Sequence, residues 1–464
     1  MTRVVIIGGG PGGYEAALVA AQLGAEVTVV DRDGLGGAAV LTDCVPSKAL
    51  IATSDEATEM ADSGVLGLRV DGAAITSSRI SVDLAAVNRR ILDLAQAQSE
   101  DIGTRLAAEG VTVVQGSGRL DGPGVVIADT AAGEQLLDAD VVLLSTGARP
   151  RTSPSSLPDG ERILTWQQIY ELTELPERLI VVGSGVTGAE LAGAYNALGS
   201  EVVLVSSRDH VLPGEDADAA QVIEDVFNRR GLTVLPRSRM ESVTRDGDTV
   251  TVTLTDGTSV TGTHALLAIG SLPNTESLGL DTVDVRTTES GHIVVDRVSR
   301  TTARGIYAAG DVTGVLPLAS VAAMQGRIAM WHALGDAVSP LNLRAVSSTV
   351  FTYPEIATVG FTQREIDRGD VAAHSIMQPL ATNARAKMQG FTDGFVKIFA
   401  RPGTKTVVGG VVVAPNASEL IHPLAIAVDQ GLTVDQLALT FTVYPSLSGS
   451  IAEAARRLHT VGEH

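Results

Sequence analysis

One cysteine and one lysine in this chain have types and a spacing that could support redox chemistry. Cys44 is the only cysteine in 464 residues, and it begins the stretch Cys-Val-Pro-Ser-Lys that ends at Lys48. Lysine is rare in this sequence compared with arginine, which makes Lys48 a candidate functional residue. A single cysteine excludes a disulfide within the chain and a cysteine-rich metal site, so we predict no metal centre.

Two glycine-rich segments could position a nucleotide beside these residues. Residues 3–33 and 178–209 each read as a buried strand, a Gly-x-Gly-x-x-Gly turn, a small-residue helix and a second strand. In such a unit the glycines let the backbone approach a pyrophosphate, and the helix N-terminus supplies amide donors. The glycines are Gly8, Gly10 and Gly13 in the first turn, and Gly183, Gly185 and Gly188 in the second. Two such turns predict that the chain binds two dinucleotides, or one dinucleotide twice.

The remaining pattern divides the chain into several units. Residues 82–109 read as a helical arm, and buried strands followed by glycine recur at 141–150, 265–275 and 305–314. From about residue 340 the strands alternate with helices in the way that is typical of an antiparallel sheet. We therefore predict an α/β protein with two Rossmann-like dinucleotide-binding domains and a C-terminal α+β domain.

Charge and hydropathy exclude several classes of partner. The net charge of −20 and the pI of about 4.8 argue against nucleic acid and anionic membrane surfaces. The N-terminal apolar run is too short for a signal peptide, and no segment approaches the roughly 18 apolar residues of a membrane span. We expect no membrane insertion and a cytoplasmic location.

With these motifs in this order, the chain resembles the flavoprotein disulfide reductase family over essentially its whole length, and lipoamide dehydrogenase most closely. The resemblance implies bound FAD, NADPH and/or NADH, and a homodimer formed through the C-terminal domain. The implied domains are a first part of the FAD domain at 1–150, an NAD(P)H domain at 151–275, a return to the FAD domain at 276–342, and a dimerisation domain at 343–464.

The resemblance assigns cofactor contacts to individual residues. The first three motif glycines would bind the FAD pyrophosphate, Asp31 the adenosine ribose hydroxyls, and Asp311 the ribityl chain, with Ala319 near the flavin ring. A solvated loop acid or a helix cap is the alternative for Asp31 and Asp311. The other implied cofactor contacts are Gly37, Gly116, Thr146, Gly147 and Gly270, together with the second set of motif glycines.

Lys48 and Glu190 are similar to the family's buried ion pair beside the flavin. A cation there can stabilise negative charge on the reduced ring, and a carboxylate can keep the lysine charged and in place. The alternative for Glu190 is a surface position on its helix.

The sequence departs from the family where the family performs thiol chemistry. The redox motif Gly-Gly-x-Cys-x4-Cys-x-Pro-Ser-Lys carries Ala39 at its first cysteine and keeps only Cys44. The family's His-Pro-x-x-x-Glu reads Tyr444 at the histidine and Gly449 at the glutamate. The resemblance therefore implies that the attacking thiol and its base are both missing, and that electrons leave from the flavin itself.

Two residues near these departures have open roles. Cys44 begins a predicted helix, where the helix dipole favours a thiolate that could interact with the flavin; the alternative is a small buried packing residue. Tyr444, supplied across the dimer interface, could stack on a quinone or bind its carbonyl; it could equally fill the space of the missing histidine.

The nicotinamide preference depends on the end of the second nucleotide unit. Ser206 stands where an NAD-specific relative carries an acid, and Arg208 could pair with a 2′-phosphate, or be a solvated loop residue. Val186 occupies a position where some relatives carry a gating aromatic ring. The sequence therefore predicts that NADPH is accepted, with NADH as an alternative or additional donor.

The predicted activity follows from this combination. A subset of the family with the same missing cysteine and histidine acts as NAD(P)H:quinone reductase, and the chain resembles it closely. One alternative is a single-cysteine peroxide or disulfide reductase that uses Cys44. A second alternative is a non-enzymatic flavoprotein that senses NAD(P)H.

Overall fold

The first half of the chain forms two units built on parallel sheets. The structure, a computed structural model, describes residues 1–459. Up to residue 150 its elements are β1 (Arg3–Ile7), α1 (Pro11–Gln22), β2 (Glu26–Asp31), α2 (Gly37–Leu41), α3 (Cys44–Asp62), β3 (Arg69–Val70), β4 (Ala73–Ala74), α4 (Leu84–Ala108), β5 (Thr112–Gln115), β6 (Ser117–Leu120), β7 (Val125–Thr130), β8 (Gly133–Asp138), β9 (Val141–Leu144) and β10 (Ala148–Pro150). The next unit comprises β11 (Ile163–Thr165), β12 (Arg178–Val182), α5 (Val186–Leu198), β13 (Glu201–Val205), α6 (Ala217–Arg229), β14 (Thr233–Leu235), β15 (Met240–Asp246), β16 (Thr249–Leu254), β17 (Ser259–Gly262), β18 (His264–Leu267) and β19 (Ser271–Pro273).

The second half returns to the first sheet and then forms a separate one. The returning elements are β20 (Ile306–Ala308) and α7 (Ala319–Ala333). They are followed by β21 (Ser347–Val350), β22 (Glu355–Gly360), α8 (Gln363–Asp367), β23 (His374–Pro379), α9 (Ala384–Gln389), β24 (Phe395–Ala400), β25 (Val407–Ala414), α10 (Ala417–Leu420), α11 (His422–Gln430), α12 (Val434–Leu439) and α13 (Gly449–His459). Residues 460–464 of the predicted dimerisation domain lie outside the described residues.

The sheet topology matches the predicted α/β class. One parallel sheet has the order β20-β9-β1-β2-β5, and the other has the order β11-β18-β12-β13-β14. Their central strands are Val- and Ile-rich and buried because helices cover one face of each sheet and a three-stranded antiparallel sheet covers the other, β6-β7-β8 in the first unit and β15-β16-β17 in the second. The third sheet, β21-β22-β25-β24-β23, is antiparallel and packs against the C-terminal helices. The fold class is confirmed, whereas the domain boundaries given above stay a prediction.

The predicted helical arm is α4, whose sequence explains its position. Asp83 caps its N-terminus by accepting a hydrogen bond from the Ala86 amide at 3.0 Å. Its buried residues recur every three or four positions and form one face, namely Leu84, Asn88, Ile91, Ala95, Ser99, Ile102 and Leu106. This face packs against the helices α2 and α3, so the arm supports the segment that carries Cys44 and Lys48.

Candidate active site

The first glycine turn has the geometry that a pyrophosphate site requires. Gly8 has φ +102°, and a Cβ there would lie 2.3 Å from the Ser145 carbonyl oxygen. A Cβ on Gly13 would lie 1.9 Å from the Gly8 carbonyl oxygen. Beside Gly10, in contrast, the nearest atom to such a Cβ is 4.0 Å away. The outer two glycines therefore allow close backbone packing, and the middle one leaves an open face toward a ligand.

The second glycine turn repeats this arrangement. A Cβ added to Gly183 would lie 2.2 Å from the Ala268 carbonyl oxygen, and a Cβ added to Gly188 would lie 1.9 Å from the Gly183 carbonyl oxygen. A Cβ added to Gly185 would have no atom within 4 Å. Neither α1 nor α5 has an acidic residue in its first turn or a side chain that caps its N-terminus. The first turn of each helix therefore carries no acid of its own that would offset the positive helix end, which suits an anion-binding site.

Asp31 organises the loop around the first turn. Its carboxylate accepts hydrogen bonds from the backbone amides of Gly9 and Gly34, both at 2.6 Å, and of Asp33 at 3.0 Å. Both carboxylate oxygens therefore already have backbone partners, which agrees with the loop-acid alternative. Binding of ribose hydroxyls would use their remaining lone pairs and stays a prediction.

The remaining glycines predicted to contact cofactors have different surroundings. A Cβ on Gly37 would lie 3.0 Å from the Gly10 Cα atom, so Gly37 lies against the first turn. Gly147 and Gly270 have φ of +66° and +97° and open space on their Cβ side, since no atom lies within 4 Å of a Cβ on Gly147 and the nearest to a Cβ on Gly270 is 4.0 Å away. A Cβ on Gly116 would lie 2.4 Å from the Asp129 oxygen, so packing alone explains this glycine.

Thr146 connects the two nucleotide units. Its hydroxyl donates to the Asn274 carbonyl at 2.7 Å, and the Asn274 side chain donates back to the Thr146 carbonyl at 2.9 Å. These bonds extend the antiparallel pairing of β10 with β19. Thr146 therefore has a structural role at the junction, and its predicted cofactor contact is untested.

Asp311 and Ala319 follow the returning strand β20. Asp311 begins a 3₁₀ turn, Asp311–Thr313, and within residues 1–459 no hydrogen bond involves its carboxyl. Burial raises the pKa of Asp311, and His292 opposes that rise. Ala319 is the first residue of α7, after an extended Leu318. A half-buried carboxyl without a partner among the described residues is compatible with the predicted contact to a ligand hydroxyl.

Lys48 and Glu190 form the predicted ion pair. The Lys48 Nζ atom lies 3.0 Å from Glu190 Oε2, and the Glu190 side chain is 3% exposed. The other carboxylate oxygen accepts the backbone amide of Phe351 at 2.8 Å, and Lys48 lies 4.9 Å from the centre of the Phe351 ring. Burial is the largest single effect on the pKa of Lys48 and lowers it, but the charge and hydrogen bond of Glu190, with Cys44 and Asp43, together outweigh burial, and the net pKa is raised. The surface alternative for Glu190 is therefore wrong, since this carboxylate is buried and keeps Lys48 protonated.

Cys44 is a neutral thiol in this environment. It is the first residue of α3, but burial and the adjacent carboxyl of Asp43 raise its pKa to about 12, against the smaller opposing effect of Lys48. The helix dipole that could favour a thiolate is therefore outweighed. The structure agrees with the packing alternative.

Tyr444 lies on an exposed segment of the third unit. It is 86% exposed and precedes a cis peptide bond to Pro445. Phe441 and Val443 beside it are 102% and 78% exposed. Among the described residues its side chain makes no hydrogen bond or ring contact, so one chain alone does not bring Tyr444 to Cys44 and Lys48.

The residues expected to select the nicotinamide nucleotide lie at the end of β13. Ser206 is fully buried, and its hydroxyl bonds to Ser184 at 2.7 Å. Arg208 is exposed, and its guanidinium has no ion-pair partner within the part of the chain that the structure describes. Val186 is 42% exposed at the start of α5. Arg208 is thus available to an anion, whereas Ser206 shapes the turn.

Sequence reasoning did not find three residues of this site. Asp43 immediately precedes Cys44, so an acid inside the redox motif was a signal available in the sequence. Phe351 lies 161 positions from Glu190, and no local pattern indicates their contact. Tyr170 is buried, and Asp43 lies near enough to raise its pKa together with burial.

Comparison with known proteins places this site in a family. A model of the pyridine nucleotide-disulphide oxidoreductases matches residues 2–326, and a model of their dimerisation domain matches residues 346–455. The chain belongs to the pyridine nucleotide-disulphide oxidoreductase family. It is therefore an oxidoreductase, as the resemblance implied.

Individual members of the pyridine nucleotide-disulphide oxidoreductase family align over nearly the whole chain. The NAD(P)H dehydrogenase (quinone) of Mycobacterium tuberculosis is 57% identical, over 99% of this chain and 94% of its own. The dihydrolipoyl dehydrogenase 2 of Haloarcula marismortui is 33% identical, over 98% and 96%. The crystal structure of LpdA from M. tuberculosis superposes with a TM-score of 0.94, at 57% identity over 99% and 100% of the two chains.

Within residues 1–459, no helix has both the length and the apolar character needed to cross a membrane. In the same residues, no group of three or more His, Cys, Asp or Glu side chains could bind a metal ion.

Proposed function

We propose that this protein is an FAD-dependent NAD(P)H dehydrogenase that passes electrons from the flavin to quinones without a redox-active disulfide. The observation that carries the proposal is an intact Lys48–Glu190 pair beside the sole cysteine of the chain. A dithiol cycle needs two sulfur atoms, and Ala39 occupies the position of the other. The name of the M. tuberculosis relative, NAD(P)H dehydrogenase (quinone), at 57% identity supports the assignment.

The residues present fit two dinucleotides. The open faces at Gly10 and Gly185 and the helix N-termini behind them suit the pyrophosphates of FAD and NAD(P)H. FAD, when bound, supplies the chemistry of accepting a hydride from NAD(P)H and releasing two electrons. Lys48 would stabilise the negative charge that develops on the flavin ring, and Glu190 would keep Lys48 charged and oriented.

The exposed Arg208 supports NADPH as one electron donor. Its guanidinium is free of ion pairs within residues 1–459. Ser206, which directly follows the preceding strand, occupies the position where a carboxylate would repel a 2′-phosphate. Because the neutral Ser206 does not exclude NADH either, we propose that both nucleotides are accepted.

The state of Cys44 argues against thiol chemistry. The thiolate is the nucleophile in disulfide exchange, and a thiol with a pKa of about 12 has little thiolate at neutral pH. Cys44 therefore supports neither a single-cysteine disulfide reductase nor a peroxide reductase. Quinones are a suitable acceptor class because they accept two electrons directly and need no sulfur.

The exposed apolar segment supports a homodimer. Leu439, Phe441, Val443 and Tyr444 are between 78% and 102% exposed within a stretch that matches the dimerisation model. Apolar side chains grouped in this way are typical of an interaction surface. We propose that a second copy of the chain covers them and that Tyr444 thereby approaches the site of the other protomer.

The test is reduction of the holoenzyme without oxygen, followed by mixing with acceptors. NADPH or NADH should bleach the flavin spectrum, and benzo- or naphthoquinones should restore it rapidly. Lipoamide and glutathione disulfide should not restore it, and appreciable turnover of lipoamide would contradict the proposal. The variant Cys44→Ser should keep quinone activity; loss of that activity would favour a role for the thiol. Slow reduction with no acceptor supporting turnover would indicate a sensor.

A further inference from the structure

Asp43 is a carboxyl group in the site that the proposed function does not yet use. It precedes α3 at the N-cap position, yet its side chain does not cap the helix. Within residues 1–459 it forms no hydrogen bond and no ion pair through its carboxyl. Its side chain is surrounded by protein atoms but remains partly exposed. A carboxyl in such a position is uncommon unless it has a partner or a function.

The groups that face Asp43 come from four elements. Lys48 and Cys44 lie on its own helix, and Glu190 lies on α5. Asp311 lies in the turn after β20. The hydroxyl of Tyr170 faces it from the 3₁₀ turn Ile169–Glu171. Burial raises the pKa of Asp43 to about 6; Lys48 opposes the rise, and Glu190 and Asp311 add to it. The carboxyl therefore exchanges its proton near neutral pH, which is the property of an effective general acid.

Three of the groups that face Asp43, namely Lys48, Cys44 and Tyr170, do not share this property. Lys48 is paired with Glu190 and has a raised pKa, so it releases its proton poorly. Cys44, with a pKa of about 12, is an even weaker acid than usual for a thiol. Tyr170 is buried, and its pKa is raised well above the ordinary value, first by burial and then by Asp43. Asp43 is therefore better suited than these three groups to supply a proton at neutral pH.

We propose that Asp43 donates the proton that completes quinone reduction, an inference that rests on the proposed function. The quinone gains two electrons and one proton, as the hydride that NAD(P)H provides through the bound cofactor. The second oxygen of the quinone takes the proton of Asp43. In this step the carboxyl O–H bond breaks and a quinol O–H bond forms. The resulting carboxylate then takes a proton from water, so that NAD(P)H, one proton and quinone become NAD(P)⁺ and quinol.

The variant Asp43→Asn tests this role because it keeps the size of the side chain but cannot act as an acid. At neutral pH we expect reoxidation by a benzoquinone to slow by roughly 100-fold, the lower range for general acid catalysis. Reoxidation by ferricyanide, which accepts single electrons and needs no proton, should be unchanged. The quinone rate of the unaltered protein should fall above about pH 6, in line with the pKa, and the variant should lose this dependence.

A matched control is available on the same helix. Asp55 is also a carboxyl whose pKa burial raises, to about 7, but it faces Glu355 and Arg230 instead. Asp55→Asn should therefore keep the pH profile of the unaltered protein, and Asp43→Glu should restore part of the quinone rate. An independent readout is the infrared carboxyl band of the holoenzyme. The component of this band that titrates near pH 6 should be present in the Asp55→Asn variant and absent from the Asp43→Asn variant.

The outcomes separate this inference from the proposed function. If Asp43→Asn slows quinone and ferricyanide equally, or leaves the quinone pH profile intact, Asp43 is not the proton donor. If the unaltered protein reduces ferricyanide but no quinone, the proposed function fails instead. If Asp43→Asn does not retain FAD, the infrared titrations of the unaltered protein and of Asp43→Glu are compared instead. A carboxyl band that titrates near pH 6 in both proteins, without a shift, overturns the proposal.

Discussion

Removing the charge of Glu190 should destabilise the protein through the lysine that is left behind. Glu190→Gln keeps an oxygen for the Phe351 amide but leaves Lys48 without its counter-ion. At 3.0 Å the attraction is about 5 kcal/mol for an effective dielectric constant of about 20. Breaking a buried pair costs about 3–5 kcal/mol. Because the Lys48 side chain is still 31% exposed, water screens it in part, and we expect the lower value, about 3 kcal/mol.

The assay is thermal unfolding of the holoenzyme, followed by circular dichroism and by release of flavin fluorescence. A loss of about 3 kcal/mol corresponds to a decrease of roughly 6–12 °C in the unfolding midpoint for a cooperative unit of about 150–250 residues. The control is Glu453→Gln, which removes the acid of the exposed Arg456 pair and should leave the midpoint unchanged.

The double variant Lys48→Met, Glu190→Gln separates charge from packing. Since it leaves no buried charge without a partner, it should recover most of the stability that the single variant loses. The raised pKa of Lys48 also fixes the pH range: the pair stabilises the fold below the ordinary lysine pKa of 10.5, and this contribution is lost as the pH rises through the higher folded value. A single variant as stable as the Glu453 control, or a double variant no more stable than the single one, would refute this reasoning.

Three further predictions concern the glycine turns, the nucleotide specificity and a half-buried histidine. Gly185→Ala should fold normally but bind NAD(P)H more weakly, whereas Gly188→Ala should lower the unfolding midpoint because its Cβ would lie 1.9 Å from a carbonyl oxygen; equal stability of the two would contradict the geometry. Arg208→Ala should raise the KM for NADPH several-fold more than the KM for NADH in steady-state assays, unless the side chain is merely solvated. Burial lowers the pKa of His264 from 6.5 to about 4, with Arg162 adding to the effect. Its neutral form therefore stabilises the fold above pH 6.5, that contribution is lost as the pH falls toward 4, and His264→Gln should show a flatter dependence in urea titrations.

The sequence was sufficient for the nucleotide units because their determinants are local. A buried strand, three glycines at fixed spacing and a small-residue helix lie within about thirty residues, and each requirement acts between near neighbours. The outer glycines are needed where a Cβ would meet the backbone of an adjacent turn, as at Gly13 and Gly188. The α/β class and the position of the arm α4 followed from the same kind of periodicity.

The ionisation states of the side chains in the site could not be predicted from local sequence. Local sequence placed Cys44 at a helix start, where a thiolate is favoured, but burial by distant elements and the carboxyl of Asp43 decide for the neutral thiol. Likewise, Asp31 has the predicted position at the end of β2, yet its carboxylate is occupied by the amides of the glycine loop.

The sequence by itself therefore determined that the chain contains two strand–glycine-turn–helix units and which sulfur it lacks, since both depend on residue identity at short spacing. Only the tertiary structure decided which charges meet. Lys48, Glu190 and Phe351 lie on three distant segments, and their pairing depends on how the sheets and helices pack. The electrostatic energy of the site depends on distance and burial, and neither quantity is encoded locally in the chain.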